Sequence, residues 1–522
     1  MNYSLDPIDL GVFIVYAVGL LALALWISRD EKSHDRTTQD YFLASKSLPW
    51  WAIGASLIAA NISAEQIIGM SGSGFALGLG IASYEWMAAI TLILVGKYLL
   101  PIFLKNGIYT MPQYLEQRFD SRVKTTLALF WLGVFIFVNL TSVLWLGGLA
   151  IQSVAGIDWM YGMIFLAVFS VAYSTYGGLK AVAYTDIIQV VLLVFGGFFL
   201  SYLALQQISG GEGVLKGFNI LTEKVPGHFD MILSPDNSEY MNLPGISVLV
   251  GGLWVMNVGY WGFNQYIIQR ALAAKSIQEA QKGIAFAAYL KLLMPIIVVL
   301  PGIAAVILFP DIEKPDQAYP SMMSLMPVGI KGLVFAALVA AIVSSLASMT
   351  NSISTIFTMD IYRPVRHDKD ENHYVNIGRL ATVTSLVVAV CVAQPLIGQS
   401  EQAFQYIQEF TGLFSPGITV IFLMGMFWKR TTSTGALAAA IGSAAFSVLF
   451  AFFLPELPFM DRIGIVFLMC LALTYFVSLR ESAPKNDSSV DLSDVNFGTT
   501  TGFNIAGIGC VLILIGLYVT WW

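Results

Sequence analysis

Residues 59–66 read Ala59-Ala60-Asn61-Ile62-Ser63-Ala64-Glu65-Gln66, and Gly69, Gly72 and Gly74 follow closely. This polar, glycine-rich segment lies inside an apolar stretch, 50–79, that is long enough to cross a membrane as a helix. A break at membrane depth frees backbone groups that lipid cannot satisfy, so the break must face a cavity or the protein interior. The segment therefore predicts a discontinuous membrane helix at a binding site.

A second apolar stretch, 245–271, carries a similar interruption. Gly251-Gly252 is followed by the polar and glycine-containing run 256–265. Two broken spans that lie five helices apart are typical of transporters built from inverted repeats, whose site lies where both helices unwind. The alternative is that these glycines and amides serve helix packing and tolerated kinks.

Composition indicates an all-α polytopic membrane protein. Of the 522 residues 57% are apolar and 11% are charged, against about 25% charged residues in an average soluble domain. Hydropathy predicts fourteen transmembrane helices. Their approximate ranges are 8–28, 50–79, 81–104, 123–153, 158–177, 184–207, 245–271, 283–309, 329–359, 376–398, 402–428, 433–454, 460–479 and 502–521.

The distribution of basic residues predicts the orientation. With the N-terminus outside, 21 of the 27 Lys and Arg residues fall at inner ends of spans, five fall at outer ends, and Lys291 lies within a span. Cytoplasmic ends of membrane helices are enriched in Lys and Arg. We therefore expect both termini outside, the loop 208–243 outside, and the segment 480–501 inside.

Other functional classes find little support in the sequence. The net charge of −6 comes with no basic stripe that would indicate nucleic acid. The four histidines are not spaced with a nucleophile or with metal ligands. We expect no enzyme activity and no organic cofactor, and we expect lipid, ions and a small solute as partners.

Ionisable and amide side chains at membrane depth are candidates for the binding site, because burying them in lipid is costly. The charged candidates are Glu85 and Lys291, with Glu65 and Glu409 as less decisive ones. Three amides from three spans are Gln66, Asn257 and Gln408, and nearby aromatic residues are Tyr84, Tyr260, Trp261 and Phe404. Such donors, acceptors and flat rings together suit a polyhydroxylated solute. Taken singly, each charge could be a paired interface residue and each ring could be packing.

The ninth span places Ala341, Ser344, Ser345 and Ser348 on or beside one helix face. Hydroxyl groups and freed carbonyl groups are oxygen ligands of the kind that hard cations prefer. This face therefore predicts a site for a weakly held sodium ion. Small residues also line close helix contacts in membranes, which is the alternative.

The chain resembles the sodium:solute symporter family, in particular its bacterial sodium/galactose and sodium/glucose members. The resemblance runs nearly end to end and is carried by these stretches: 54–66, Tyr84-Glu85-Trp86-Met87, Tyr176-Gly177-Gly178, Thr185-Asp186, Trp261-Gly262-Phe263-Asn264-Gln265, Gln269-Arg270 and Phe404-Gln405-Tyr406-Ile407-Gln408. It implies a ten-helix core of two inverted five-helix repeats, with the first and sixth core helices broken. The corresponding division is 1–49 for an extra helix and loop, 50–207 for the first repeat, 208–243 for an outer loop, 244–429 for the second repeat, and 430–522 for three further helices.

The resemblance also implies roles for individual residues. Sodium would bind to carbonyl groups of Ala59, Ile62 and Ala341 and to the hydroxyl groups of Ser344 and Ser345. The solute, a hexose, would contact Gln66, Glu85, Asn257, Lys291 and Gln408. Tyr260 with Trp261 would form the inner gate, and Met70, Tyr84 and Phe404 would close the outer side. Asp186 would assist the exit of sodium.

Two positions depart from the galactose symporters, which carry serine where this chain has Ala88 and tyrosine where it has Gly259. They leave open whether the hexose is galactose or glucose. We expect a sodium-coupled hexose transporter that works by alternating access in a bacterial inner membrane, as a monomer or weak homo-oligomer. The alternatives are a sodium symporter for another solute, such as an amino acid or sialic acid, and, from another class, a sugar sensor or a sodium channel.

Overall fold

The structure, a computed structural model, describes residues 5–29, 48–107, 111–176, 179–400, 402–482, 490 and 492–522. The predicted inner loop 30–47, the Gly177-Gly178 pair and residues 483–489 lie outside this part of the chain. Within it the regular structure is helical, apart from an isolated β-bridge between Leu48 and Ala274.

The α-helices of the first half are α1 Pro7–Arg29, α2 Trp50–Asn61, α3 Met70–Leu77, α4 Ser83–Leu94, α5 Leu100–Lys105, α6 Met111–Arg118, α7 Ser121–Gly133, α8 Thr141–Ala155, α9 Trp159–Tyr176, α10 Leu179–Ile208 and α11 Val214–Lys224. Those of the second half are α12 Ile246–Val250, α13 Gly252–Phe263, α14 Gln265–Leu272, α15 Ile277–Leu308, α16 Ala318–Met322, α17 Ile330–Thr355, α18 Arg363–Val365, α19 Glu371–Ile397, α20 Ala403–Gly412, α21 Ser415–Phe427, α22 Ser433–Phe453, α23 Phe459–Arg480 and α24 Thr501–Thr520. Short π-helical segments are Glu65–Gly69, Val95–Leu99, Val134–Leu140 and Ile356–Tyr362, and 3-10 turns are Gly78–Ala82, Pro226–Phe229, Pro315–Gln317 and Met323–Leu325.

Every one of the fourteen predicted stretches contains helix. Among the described residues nine helices are long and apolar enough to cross a membrane, and the bent pair of α20 and α21 makes ten. Two shorter apolar helices, Pro7–Leu20 and Trp159–Ala172, add to these. The all-helical, multi-pass membrane class is therefore confirmed, whereas the count of fourteen spans and the inverted repeats stay predictions.

The break that the sequence predicts in the second stretch lies at Ile62 and Ser63. The helix α2 ends at Asn61, Ile62 has an extended backbone (φ −72°, ψ 103°), and helical structure resumes as the π segment Glu65–Gly69. The helix is therefore interrupted at the polar residues within the apolar stretch. The broken helix thus exposes its ends within the bundle rather than at its surface.

The second interruption is confined to the two ends of the predicted segment. The chain is interrupted at Gly251, before α13, and again at Asn264 (φ −81°, ψ 121°), but the run between them is helical. Gly259 and Gly262 instead permit close packing, since a Cβ would lie 2.9 Å from Thr419 Oγ1 at the first and 2.7 Å from Leu99 Cδ1 at the second. These glycines serve helix contacts, which is the alternative that sequence left open.

A third interruption was not predicted. The helices α20 and α21, expected as one span over 402–428, meet at a bend of 45°. Pro416 lies in the first turn of α21 and has no N–H to donate to the preceding helix, so it removes a helical hydrogen bond beside the bend.

The long helix α15 lies at the centre of the bundle and packs against α2, α3, α4 and α10. The helix α17 packs against α1, α9, α10 and α19. The first broken helix, α2 and α3, packs against α15, and α14 of the second contacts both α15 and α17. Two cavities lie there.

Candidate functional site

The larger cavity, of about 130 Å³, lies between the broken helices α2 and α13 and the helices α4, α15 and α20. The five residues predicted to bind a solute all line it: Gln66, Glu85, Asn257, Lys291 and Gln408. They come from five separate segments of the chain. The fold therefore brings the predicted polar set together, and the role of each member stays a prediction.

A buried ion pair forms one wall of this cavity. Lys291 Nζ lies 2.6 Å from Glu85 Oε2, and the side chains are 1% and 3% exposed. Lys291 also donates to Asn61 Oδ1 and lies 5.0 Å from the centre of the Trp261 ring. An ammonium group has three N–H donors, so these two hydrogen bonds leave one for a solute. The pair neutralises both charges and keeps the site polar.

Six polar atoms of residues that line the cavity are buried and have no hydrogen-bond partner among the described residues. Among these are Gln66 Oε1, an acceptor, Asn257 Nδ2, a donor, and the Tyr84 hydroxyl group. A buried polar atom without a partner costs about 1–3 kcal/mol. A solute whose hydroxyl groups both donate and accept would satisfy all three.

Aromatic rings cover the cavity on two sides. On one side the rings of Tyr84 and Phe404 meet edge to face, with centres 5.3 Å apart. On the other side Tyr260 and Trp261 make a similar contact at 5.2 Å, and Asn61 Nδ2 donates to the Tyr260 hydroxyl group over 3.2 Å. All four line the cavity, whereas Met70, predicted as part of the outer gate, is fully buried in the core and does not.

Sequence reasoning missed several polar residues of this cavity. Asn61, Asn139 and Asn264 line it as well, and so does Glu65, which the sequence left between a functional and a structural role. Asn61 lies in the middle of the segment that decided the fold, so its depth in the membrane was a usable signal. Asn139 lies in an otherwise apolar π-helical segment, Val134–Leu140, and was overlooked there.

A second, smaller cavity of about 10 Å³ lies where α2, α10, α14 and α17 converge. Three of the predicted sodium ligands line it, namely Ala59, Ser344 and Ser345. Ala60 and Ser348 line it too, but Ile62 and Ala341 are buried beside it without lining it. A hydroxyl oxygen and a backbone carbonyl together are ligands suited to a hard monovalent cation.

Asp186 borders the same small cavity. Ser344 Oγ donates to Asp186 Oδ1 over 2.5 Å, and Arg270 Nη2 lies 3.5 Å from Asp186 Oδ2. Arg270 Nε in turn donates to the Ser56 carbonyl oxygen over 2.9 Å. The carboxylate is thus held between a predicted cation ligand and an arginine.

Comparisons with known proteins agree with this architecture. Residues 41–442 match the model of the sodium:solute symporter family. The chain is 52% identical to the sodium/glucose cotransporter of Vibrio parahaemolyticus, an alignment that covers 100% of this chain and 99% of that protein. It is 34% identical to the human sodium/myo-inositol cotransporter 2, over 83% of this chain and 68% of that protein.

Solved structures show the same fold. A Na⁺-coupled sialic acid symporter in a substrate-bound, outward-open state superposes with a TM-score of 0.76 at 24% identity, covering 92% of this chain and 98% of that one. A nucleobase-cation-symport-1 family transporter superposes with a TM-score of 0.51 at 14% identity, over 85% and 96%. The match of the family model over most of the chain, with end-to-end similarity to a member, shows that this protein belongs to the sodium:solute symporter family.

Proposed function

We propose that this protein carries a hexose, glucose or galactose, into the cell together with sodium by alternating access. The observation that supports this most directly is the larger cavity. It combines the Lys291–Glu85 pair with an unpaired acceptor on Gln66 and an unpaired donor on Asn257. Each hydroxyl group of a hexose can donate and accept, so one ring could satisfy all of them.

The cavity suits a neutral solute better than an anionic one. Lys291 supplies the only Lys or Arg side chain among the described residues that line it, and Glu85 already neutralises that charge. A carboxylate solute would also lie near Glu85, and like charges at close range repel. Amino acids and sialic acid are therefore less favoured than a sugar.

Sodium would bind in the smaller cavity, with Ala59, Ser344 and Ser345 as ligands and with Ile62 and Ala341 contributing carbonyl oxygens after a small rearrangement. Asp186 would assist release. Since one such cavity is recognisable, we propose one sodium ion per solute. A potential of about 100 mV then contributes about 2.3 kcal/mol, and a tenfold sodium gradient contributes about 1.4 kcal/mol more.

The distribution of Lys and Arg supports an orientation with both termini outside, in the inner membrane of a bacterium. The residue division 50–207 and 244–429 would correspond to the two inverted repeats. We propose that the protein works as a monomer or a weak homo-oligomer surrounded by lipid.

A cyclic polyol is a second candidate solute. Several relatives that are 33–34% identical carry the name sodium/myo-inositol cotransporter 2. A ring that bears a hydroxyl group on every carbon presents the same alternation of donors and acceptors as a hexose. Comparing the uptake of labelled hexose and labelled myo-inositol separates these two solutes.

Counterflow uptake in liposomes tests the proposal. Purified protein is assayed with labelled glucose, galactose, myo-inositol and proline, with sodium replaced by potassium or by a proton gradient. We expect hexose uptake that requires sodium. Sodium-dependent uptake of proline without uptake of any hexose or polyol would refute the assignment, and a conductance without solute uptake would indicate a channel.

A further inference from the structure

The first turn of α20 is fastened by three separate segments. The Ala403 N–H group donates to Asp316 Oδ2 over 3.0 Å. Gln402 Oε1 accepts from Ser73 Oγ of α3 over 3.0 Å, and Gln402 Nε2 donates to Glu239 Oε2 over 3.3 Å. A short helix is thus tied to a broken membrane helix, to the long loop before α12, and to the turn Pro315–Gln317.

Asp316 is the most constrained member of this cluster. Its side chain is buried, and its Oδ1 atom has no hydrogen-bond partner among the described residues. It presses against Gly72 of α3 so closely that a Cβ at position 72 would lie 2.7 Å from Asp316 Oδ1. Burial raises the pKa of Asp316 to about 7, although the Ala403 N–H group and the charge of Lys314 act in the opposite direction.

The first turn of α20 also positions an aromatic ring, that of Phe404, over the larger cavity. Phe404 follows Ala403 directly, and its ring closes against Tyr84. The Phe404 side chain also lies near the start of α3, because a Cβ at Gly69 would lie 3.3 Å from Phe404 Cβ. Movement of the first turn of α20 away from α3 and from Asp316 would therefore remove Phe404 from this side of the cavity.

We call the contact of the first turn of α20, with Phe404, against α3 and Tyr84 the gate, and the side of the cavity that it covers the face. We propose that Asp316 is a positioning residue of this gate, whose carboxyl group holds the first turn of α20 on α3 while the face is closed. Ionisation of the carboxyl group then promotes opening, because the charge at Oδ1 becomes hydrated only when the face separates. The inference rests on the proposed transport function, and the proposed orientation places this face outside.

Few other ionisable groups face Asp316. The helices α3 and α8, which pack on the Pro315–Gln317 turn, carry no ionisable side chain, and α20 carries Tyr406 and Glu409 further along. The remaining ionisable groups are Lys314 and the exposed Asp311 and Glu313 on the same segment, Tyr319 on α16, Glu65 on the π segment, and Glu239 through Gln402. Asp316 is the carboxylic acid among them that contacts α3 and α20 together.

The sign of the pH effect follows from the pKa in each state. The closed face holds the proton with a pKa of about 7, and a hydrated aspartate has a pKa of about 3.9. The preference for the closed face is fully present below about pH 4, is lost as the pH rises to about 7, and is constant above that. Between these limits the ratio of open to closed protein should rise by up to about tenfold per pH unit.

The test uses full-length protein in right-side-out vesicles with a single cysteine. Ala88 lines the larger cavity and is buried, so Ala88→Cys, with Cys391, Cys470 and Cys510 replaced by alanine, reports access from outside to a membrane-impermeant thiol reagent. Each labelling rate is divided by the rate for detergent-denatured protein at the same pH. This division removes the effect of thiol ionisation.

We expect labelling of the Ala88→Cys reporter to rise with pH between about 5 and 7 and then to level off. Asp316→Asn keeps an acceptor for Ala403 but cannot ionise, so its labelling should be slow and independent of pH. Asp316→Ala removes the acceptor and should label faster at low pH. Asp311→Asn, which neutralises an exposed carboxylate in the same loop, should keep the wild-type profile. Equal pH profiles for the reporter with and without Asp316→Asn would overturn the inference.

Sodium-driven hexose uptake by the chain with its native Ala88, in vesicles prepared in the same way, tests the transport proposal separately. Absent uptake with a labelling profile that depends on Asp316 would refute the transport proposal and support the gate. Normal uptake with a profile indifferent to Asp316 would refute the gate alone. Labelling of the Ala88→Cys reporter only from the inner side of the vesicles at every pH would also refute the gate.

Discussion

Ala59 and Asn61 lie two residues apart in the last turn of α2, and each lines a different cavity. Ala59 borders the small cavity with Ser344 and Ser345, whereas Asn61 accepts a hydrogen bond from Lys291 in the larger one. A cation bound in the small cavity, as proposed, would order this last turn and with it Asn61. The turn would then link the affinity for solute to sodium, which is the thermodynamic requirement for coupling.

Asn61→Ala should weaken hexose binding and leave the protein folded. The side chain connects Lys291 to Tyr260, and a hydrogen bond to a charged group contributes about 1.5–3 kcal/mol, so the hexose KM should rise by about tenfold or more. Initial uptake rates at saturating sodium measure this change. Asn219→Ala, at an exposed position of α11, is the matched control, and an unchanged KM for Asn61→Ala would remove this residue from the site.

The break in α2 was predictable because its signal is local. Polar residues at membrane depth are costly wherever they occur, so the segment 59–66 indicated an interruption without knowledge of its neighbours. The run 256–263 has a similar composition but is helical. Its glycines, Gly259 and Gly262, allow the side chains of Thr419 and Leu99 on other helices to pack closely against it. Sequence alone does not distinguish a glycine that breaks a helix from one that admits a neighbour.

The same reasoning explains which site residues were found. Glu85 and Lys291 stood out because charged residues are rare inside spans, and they pair across 206 positions of the chain. The depth of Asn61 in the membrane is visible in the sequence, but its contact with Lys291, 230 positions away, is not. Asp316 lies in a loop, where carboxylates are ordinary, and only its packing against Gly72 and α20 sets it apart.

Lys291→Ala should abolish uptake and lower thermal stability. Removing one partner of a buried ion pair leaves the other charge uncompensated, at a cost of about 3–5 kcal/mol. The double variant Lys291→Met with Glu85→Gln should recover most of the stability, because no buried charge remains, but it should not transport. Thermal unfolding in detergent and hexose uptake are measured together. Recovery of uptake in the double variant would show that the pair is structural and does not bind the solute.

Ser345→Ala should weaken the dependence on sodium. Loss of one oxygen ligand, valued at about 0.5–1.5 kcal/mol, predicts a rise of about twofold to tenfold in the sodium concentration for half-maximal uptake. Ser352→Ala makes the same change further along α17, where Ser352 Oγ donates to the Ser348 carbonyl oxygen outside the set that lines the small cavity. If both variants show the same sodium activation as wild type, the proposed cation site is wrong.

Gly72→Ala should favour the open form of the face that carries Asp316. A Cβ at this position would lie 2.7 Å from Asp316 Oδ1 and 2.8 Å from Asp316 N, distances that the closed face cannot accommodate without moving the Pro315–Gln317 turn. Overpacking costs about 1–3 kcal/mol, and the cost disappears once the turn and α3 separate. The ratio of open to closed protein should therefore increase by at least about fivefold.

The Ala88→Cys reporter measures this increase at about pH 5, where the closed face is more favoured than at neutral pH. Gly133→Ala in α7 is the matched control, since a Cβ there meets nothing within 4 Å, and its labelling should equal that of the reporter alone. Thermal unfolding of both variants distinguishes a shift between two folded states from general damage, because the shift changes labelling far more than it changes the unfolding temperature. Slow labelling of Gly72→Ala, equal to that of Gly133→Ala, would mean that contact between Asp316 and α3 does not limit the opening of this face.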